Sequence, residues 1–245
     1  MLKISVIRKL FCALAVTIAL GVGHNVSADP IGPGFDLFAT QPGTFAVIPG
    51  IGMVAFMGGP PIVLETNVDT IVQRLQGVNP FPVGGMATIP IVLRELSLQS
   101  VNPVNIGGTL FNILVTELPA QTSGTMTIFH TNVNGGTYNS TLPIDALLTF
   151  TQVGGGVTFT MTFSTTLISI GCGWSHTPPP GYPTPPEWPA GNFFPTGQCI
   201  EASDTETEKH VVRPAEVPEP ATLLLLGSGL AGAAGFGRKK LSKKK

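Results

Sequence analysis

Charged side chains are scarce in this sequence. Asp, Glu, Lys and Arg make up 11% of its 245 residues, against about a quarter in ordinary soluble domains. Nine of the 13 basic residues lie before Asp29 or after Gly237, whereas all 14 acidic residues lie between Asp29 and Glu219. Residues 29–219 thus hold four basic and 14 acidic residues, a net charge of −10. This argues against a nucleic-acid partner, because phosphate binding needs a basic surface.

Catalytic motifs and metal-ligand sets are also missing. The sequence contains no G-x-S-x-G elbow, H-E-x-x-H helix or Walker loop, so it predicts a protein that is not an enzyme and has no cofactor. Cys172 and His176 have C-x3-H spacing but no second ligand pair, so no metal is expected. A secreted hydrolase is the alternative, because acids such as Glu95, Glu117 and Asp145 can converge only in the fold. A structure with neither a convergent acidic pair nor a hydroxyl–histidine contact would end this alternative.

The N-terminus is typical of a secretory signal peptide. Lys3, Arg8 and Lys9 precede an apolar stretch from Leu10 to Leu20, and Val26-Ser27-Ala28 forms a small-residue cleavage site. This pattern predicts a signal helix at residues 1–28, export through the secretion translocon, and a mature chain that begins at Asp29.

The C-terminus combines a short motif, an apolar span and a basic stop. Pro218-Glu219-Pro220 precedes the uncharged residues 221–237, and a basic stop follows in residues 238–245, led by Arg238, Lys239 and Lys240. A helix of 17 residues is about 25 Å long, which is short for a hydrocarbon core of about 30 Å. The sequence predicts a transmembrane helix suited to temporary anchoring. The positive-inside rule places the residues before Pro218 outside the cytoplasm.

These C-terminal features resemble the PEP-CTERM sorting tail of Gram-negative bacterial surface proteins, the substrates of exosortases. The resemblance rests on Pro218, Glu219 and Pro220, the run from Leu223 to Leu226, and the terminal basic cluster. It implies an exosortase-type membrane peptidase as partner and cleavage near the motif. It also implies export across the inner membrane to the cell surface or exterior, with a transient C-terminal anchor. An ordinary, uncut membrane anchor is the alternative for this tail.

Residues 29–200 are predicted to form one exported β domain. Gly and Pro together account for 53 residues. An internal repeat matches residues 75–80 with 98–103, and a Gly-Gly pair follows each copy, which suggests a strand–turn–strand unit used twice. Apolar residues from Val157 to Phe163 alternate with hydroxyl residues, as in a strand with one packed face. Close spacing of about seven strands predicts an all-β fold, an antiparallel β-sandwich.

Cys172 and Cys199 enclose a segment with eight prolines between Pro178 and Pro195. In an exported protein this arrangement predicts a disulfide-closed proline-rich loop. Trp174, Tyr182 and Trp188 are the candidate glycan contacts, with extracellular polysaccharide as the ligand, because sugar rings stack on exposed aromatic rings. The other interpretation is that Trp174, Phe193 and Phe194 close one end of the domain.

Residues 201–217 are acidic and contain no aromatic residue, so they are predicted to be a solvated stalk. Together these features predict an exported bacterial cell-surface or matrix protein whose biochemical activity the sequence does not specify. A carbohydrate-binding or adhesive module is the alternative.

Overall fold

A computed structural model describes residues 29–217 of the chain. The predicted signal helix, transmembrane helix, sorting motif and basic stop lie outside these residues. Within residues 29–217 every regular element is a β-strand. No helix in this range is long and apolar enough to cross a membrane.

Thirteen strands form within residues 29–217. They are β1 Gly34–Thr40, β2 Thr44–Ile48, β3 Gly52–Gly58, β4 Thr70–Arg74, β5 Met86–Ser100, β6 Val104–Ile106, β7 Thr109–Glu117, β8 Gly124–Asn132, β9 Gly135–Gln152, β10 Thr158–Ser175, β11 Phe194–Thr196, β12 Cys199–Ala202 and β13 Glu208–Pro214.

All the strands pair in a single antiparallel sheet. The main path runs β1-β4-β5-β3-β2-β13-β12-β10-β9-β7-β6, and β1 also pairs with β13, so the sheet closes on itself. The predicted all-β, antiparallel class is confirmed. Hydrogen bonding does not divide the strands between two sheets, because the long strands β5 and β9 change partners along their length. Each pairs with β8 in its first half and with β7 in its second.

The core has two parts on opposite faces of β1. The larger part takes side chains from most strands and includes Phe38, Leu93, Ile113 and Phe150. The smaller part includes Leu37 and Ala39 of β1 and lies under the proline-rich segment. Successive side chains of a strand point to opposite faces, so β1 contributes to both parts. The proline-rich segment therefore covers a second apolar surface.

Several predicted elements are recovered. In β10, Phe159, Met161 and Phe163 alternate with the exposed Thr160 and Thr162, and the packed side becomes fully buried only from Leu167 onward. Each Gly-Gly pair of the repeat precedes a strand, β5 after residue 85 and β7 after residue 108. The two copies of the repeat differ in structure. Residues 75–80 lie in a loop, whereas residues 98–100 form the end of β5.

The prediction of a solvated stalk at residues 201–217 is wrong. These residues finish β12 and form β13, which pairs with β1, β2 and β12. Val211 and Val212 are buried in the core. The acidic composition concealed this strand, because Asp204 and Glu206 lie in the exposed turn between β12 and β13 while Glu201 is buried.

Candidate functional site

The predicted disulfide is confirmed. Cys172 of β10 and Cys199 of β12 are bonded, with their Cα atoms 5.3 Å apart. The proline-rich segment that they enclose returns to the domain through β11, which pairs with the end of β10. The covalent link therefore closes the segment at its base.

A buried ion pair lies beneath this segment. Arg74 Nε donates to Asp36 Oδ1 at 3.1 Å, and neither side chain is exposed. The guanidinium also donates to the carbonyls of Gly32, at 2.7 Å, and Ala190. Its Cζ lies 4.5 Å from the ring centroid of Phe193. Arg74 thereby joins β4, the N-terminal segment and the proline-rich segment.

Burial dominates the electrostatics of this region. It raises the pKa of Asp36 to about 6, although the Arg74 charge and hydrogen bond act in the opposite direction. Burial also raises the pKa values of the Tyr138 and Tyr182 hydroxyls. The Tyr182 hydroxyl accepts a hydrogen bond from Leu37 N at 2.9 Å. Tyr182 therefore fastens the proline-rich segment to β1.

The prediction that Trp174 and Tyr182 contact glycans is wrong. Their side chains are 2% and 7% exposed, respectively, which leaves no face for a sugar ring. Trp174 stacks on Phe193 with ring centroids 5.0 Å apart, and its Nε1 donates to Phe129 O. Trp188 is half-buried and meets Phe35 edge-on at 4.8 Å. The aromatics close one end of the domain, as the other interpretation proposed.

Two histidines meet beside Trp174. His130 of β8 and His176, which follows β10, have ring centroids 5.3 Å apart. The Nδ1 of His130 is 2.7 Å from Phe81 O, and that of His176 is 2.9 Å from Asn192 O. This contact could not be predicted from the sequence, because 46 positions separate the two residues. Within residues 29–217 no group of three or more His, Cys, Asp or Glu is arranged to hold a metal ion.

A hydroxyl, a histidine and a carboxylate also lie in contact, one after the other. Thr40 Oγ1 is 3.0 Å from His210 Nε2, and His210 Nδ1 is 3.3 Å from Glu201 Oε2. Asp69 accepts from the Thr40 hydroxyl at 2.8 Å, from the Thr40 N–H at 2.8 Å and from the Thr70 hydroxyl at 2.9 Å. Burial raises the pKa of Asp69, and these hydrogen bonds act against that shift.

In this group of side chains the Thr40 hydroxyl contacts a carboxylate as well as the histidine. An ionised carboxylate only accepts hydrogen bonds, so the hydroxyl donates its single proton to Asp69 Oδ1. A hydrolase nucleophile instead gives its proton to the histidine. These side chains therefore form a polar network that links β1, β12 and β13 within the sheet.

Two of the acids suggested for a hydrolase do converge. Glu95 and Glu117 lie on the neighbouring strands β5 and β7, and both are half-buried. Partial burial, and next the charge and hydrogen bond of Glu117, raise the pKa of Glu95. Glu117 Oε2 also accepts from Leu96 N at 2.7 Å. Asp145 instead accepts from Ser164 Oγ at 2.6 Å.

The described chain ends within the folded body. Ala215 N donates to Leu37 O at 3.0 Å, and Val217 N donates to Gly181 O at 2.8 Å. The predicted sorting residues Pro218, Glu219 and Pro220 come next in sequence. The proposed cleavage region thus begins one residue after Val217, whose N–H makes the last backbone hydrogen bond found within residues 29–217.

Comparison with known proteins identifies this tail. Residues 216–239 match the family model of the PEP-CTERM protein-sorting motif. Searches of curated proteins and of solved structures found no match. The chain therefore carries a PEP-CTERM protein-sorting motif, which implies that it is exported and sorted by an exosortase.

Proposed function

We propose that this chain is a non-enzymatic protein of the bacterial cell surface or extracellular matrix. In this proposal an exosortase cuts the tail near Pro218-Glu219-Pro220 after the β domain has been exported. The observation that carries the proposal is the sorting-motif match at residues 216–239, which begins at the last two residues that the structure describes. We also infer that the closed sheet packs as a flattened sandwich, since strands from both ends of the chain share one core.

The polar networks support a structural role for the domain. The Thr40 hydroxyl donates a hydrogen bond to Asp69, and Glu117 accepts one from a backbone N–H of β5. The buried ion pair, the tyrosine hydroxyl and the disulfide all bind the proline-rich segment to the sheet. Exported proteins work without cytosolic chaperones and benefit from such cross-links.

A carbohydrate-binding or adhesive function has less support. With Trp174 and Tyr182 buried, Trp188 is the one partly exposed residue of the three candidates. A single half-buried ring gives little area for stacking. We therefore place the adhesive function second and the hydrolase third.

Mass spectrometry of the exported protein tests the proposal. We expect an N-terminus at Asp29 and a C-terminus near residues 218–220, with residues 221–245 removed. Replacing Pro218, Glu219 and Pro220 with alanine should leave the tail attached. Replacing Pro185, Pro186 and Glu187 with alanine is the matched control, because it changes the same residue types in the loop and should leave processing intact. An exported chain that still ends at Lys245 would contradict the sorting proposal.

A further inference from the structure

The hydrogen bonds of His130 and His176 fix which ring nitrogen carries the proton. Both Nδ1 atoms face backbone carbonyl oxygens, Phe81 O at 2.7 Å and Asn192 O at 2.9 Å. A carbonyl oxygen can only accept, so each Nδ1 carries the hydrogen and donates it. In the neutral imidazole the Nε2 atom then has a free lone pair. A backbone carbonyl in this position orients many metal-binding histidines.

Both free Nε2 atoms are buried and have no hydrogen-bond partner among the described residues. His130 is 1% exposed, and His176 is half-buried just beyond the end of β10. An unsatisfied buried acceptor is unfavourable, so two of them in adjacent rings are an unfavourable arrangement for packing alone. A single cation that accepts both Nε2 lone pairs would satisfy both atoms.

The separation of the rings fits a shared ion. Two imidazoles that bind one ion through Nε2 at about 2.1 Å and a tetrahedral angle place their ring centroids about 5 Å apart. The observed separation is 5.3 Å. Gly136 is the register partner of both His130 and Trp174, so no side chain from β9 separates the strands that carry the two histidines.

We propose that His130 and His176 bind one borderline transition-metal ion, Zn²⁺ or Cu²⁺, through their Nε2 atoms. Neutral imidazole suits these ions. No third His, Cys, Asp or Glu joins the pair within residues 29–217, so the two imidazoles are the only ligands of these types that the described residues supply. The binding is therefore weaker than at a structural zinc site with four protein ligands.

Trp174 is a built-in reporter for this site. Its ring centroid lies 4.9 Å from that of His176 and 5.5 Å from that of His130. A paramagnetic Cu²⁺ ion bound between the histidines would quench its fluorescence. Trp188, the other tryptophan, is removed by Trp188→Phe so that the signal comes from Trp174 alone.

The test is a Cu²⁺ titration of the mature Trp188→Phe protein, followed by competition with Zn²⁺. We expect saturable quenching at one ion per chain and recovery of fluorescence when Zn²⁺ displaces Cu²⁺. His176→Gln should weaken the apparent affinity at least about tenfold, the lower end of the effect of disturbing a metal-bound histidine. His210→Gln is the matched control, because this histidine lies in the other polar network, and it should bind like the parent.

Near-UV circular dichroism confirms that each variant is folded. His176→Gln decides the test if His130→Gln fails to fold, because His176 is the less buried of the two. Absence of saturable quenching in the parent, or equal quenching in the parent and His176→Gln, would overturn the proposal. Either result would leave the two histidines as packing residues.

Discussion

At the scale of single residues, the Arg74–Asp36 pair is the fully buried ion pair that joins the elements at the loop-covered end. Both side chains are fully buried, and Arg74 satisfies two carbonyls in addition to Asp36. Removing one member of such a pair leaves an uncompensated charge in a medium of low polarity. The buried charge of the remaining partner, and not the lost contact, then determines how much the free energy of unfolding falls.

Arg74→Leu should lower the free energy of unfolding by about 3–5 kcal/mol, because Asp36 is left without its partner. Denaturant unfolding at neutral pH measures the loss. Arg94→Leu is the control, since Arg94 is exposed and contacts only Gln73 among the described hydrogen bonds. It should cost less than about 1 kcal/mol. Equal losses in the two variants would contradict the role assigned to the pair.

The same carboxyl group makes stability depend on pH. Folding raises the pKa of Asp36 from 3.8 to about 6. Between these values the folded state holds a proton that the unfolded state has released, so stability falls as pH rises through this window. The Asp36 contribution amounts to about 3 kcal/mol. Asp36→Asn should flatten the decline in unfolding free energy between about pH 4 and 6, and an unchanged slope would show that other groups cause it.

At the scale of elements, the proline-rich segment is held by one covalent bond and several polar contacts. Cys172 and Cys199 are 27 positions apart, and no other cysteine occurs after residue 28. The segment covers the smaller part of the core, where Phe194 and Tyr182 pack against β1 residues. Opening the bond would give the unfolded chain more freedom without removing these contacts.

Replacing both Cys172 and Cys199 with serine should therefore lower the free energy of unfolding by about 3–4 kcal/mol while the fold persists. Unfolding curves of the parent with and without reductant provide the matched comparison. The reduced parent should behave like the double variant. A difference below about 1 kcal/mol between oxidised and reduced parent would contradict this estimate.

Local pattern was enough to predict many of the strands but not their partners. Alternation along β10 and the Gly-Gly turns can be read from neighbouring residues, and those predictions are confirmed. The polar β13 could not be recognised, because its burial depends on β1 and β2, more than 160 positions earlier in the chain. The pairing of β1 with β4 likewise brings Asp36 to Arg74.

Burial, more than residue type, decided the candidate site residues. Tryptophan and tyrosine suit both sugar stacking and core packing, and only the fold distinguishes the two uses. Trp174 became core because the disulfide and β11 hold the proline-rich segment over it. The cysteine pairing could be predicted from the sequence, since only two cysteines occur after residue 28 and Cys172 had no second metal-ligand pair.

At the scale of the whole molecule, a stable acidic domain lies directly before a sorting motif. Residues 29–219 carry a charge of −10, which keeps the exported product soluble. The missing stalk means that the motif follows the folded body without a spacer. An exosortase that cuts there must approach to within a few residues of β13.

If an exosortase cuts the tail as proposed, the pairing of β1 with β13 links folding to cleavage. Translocation delivers the N-terminal end first, so β1 reaches the exterior long before residues 208–214 do. Until then β1, β2 and β12 each lack a neighbour along one edge. The sheet can close only when the final strand has crossed, and by that moment Pro218 has arrived at the membrane. Completion of the fold and presentation of the cleavage region thus become a single event.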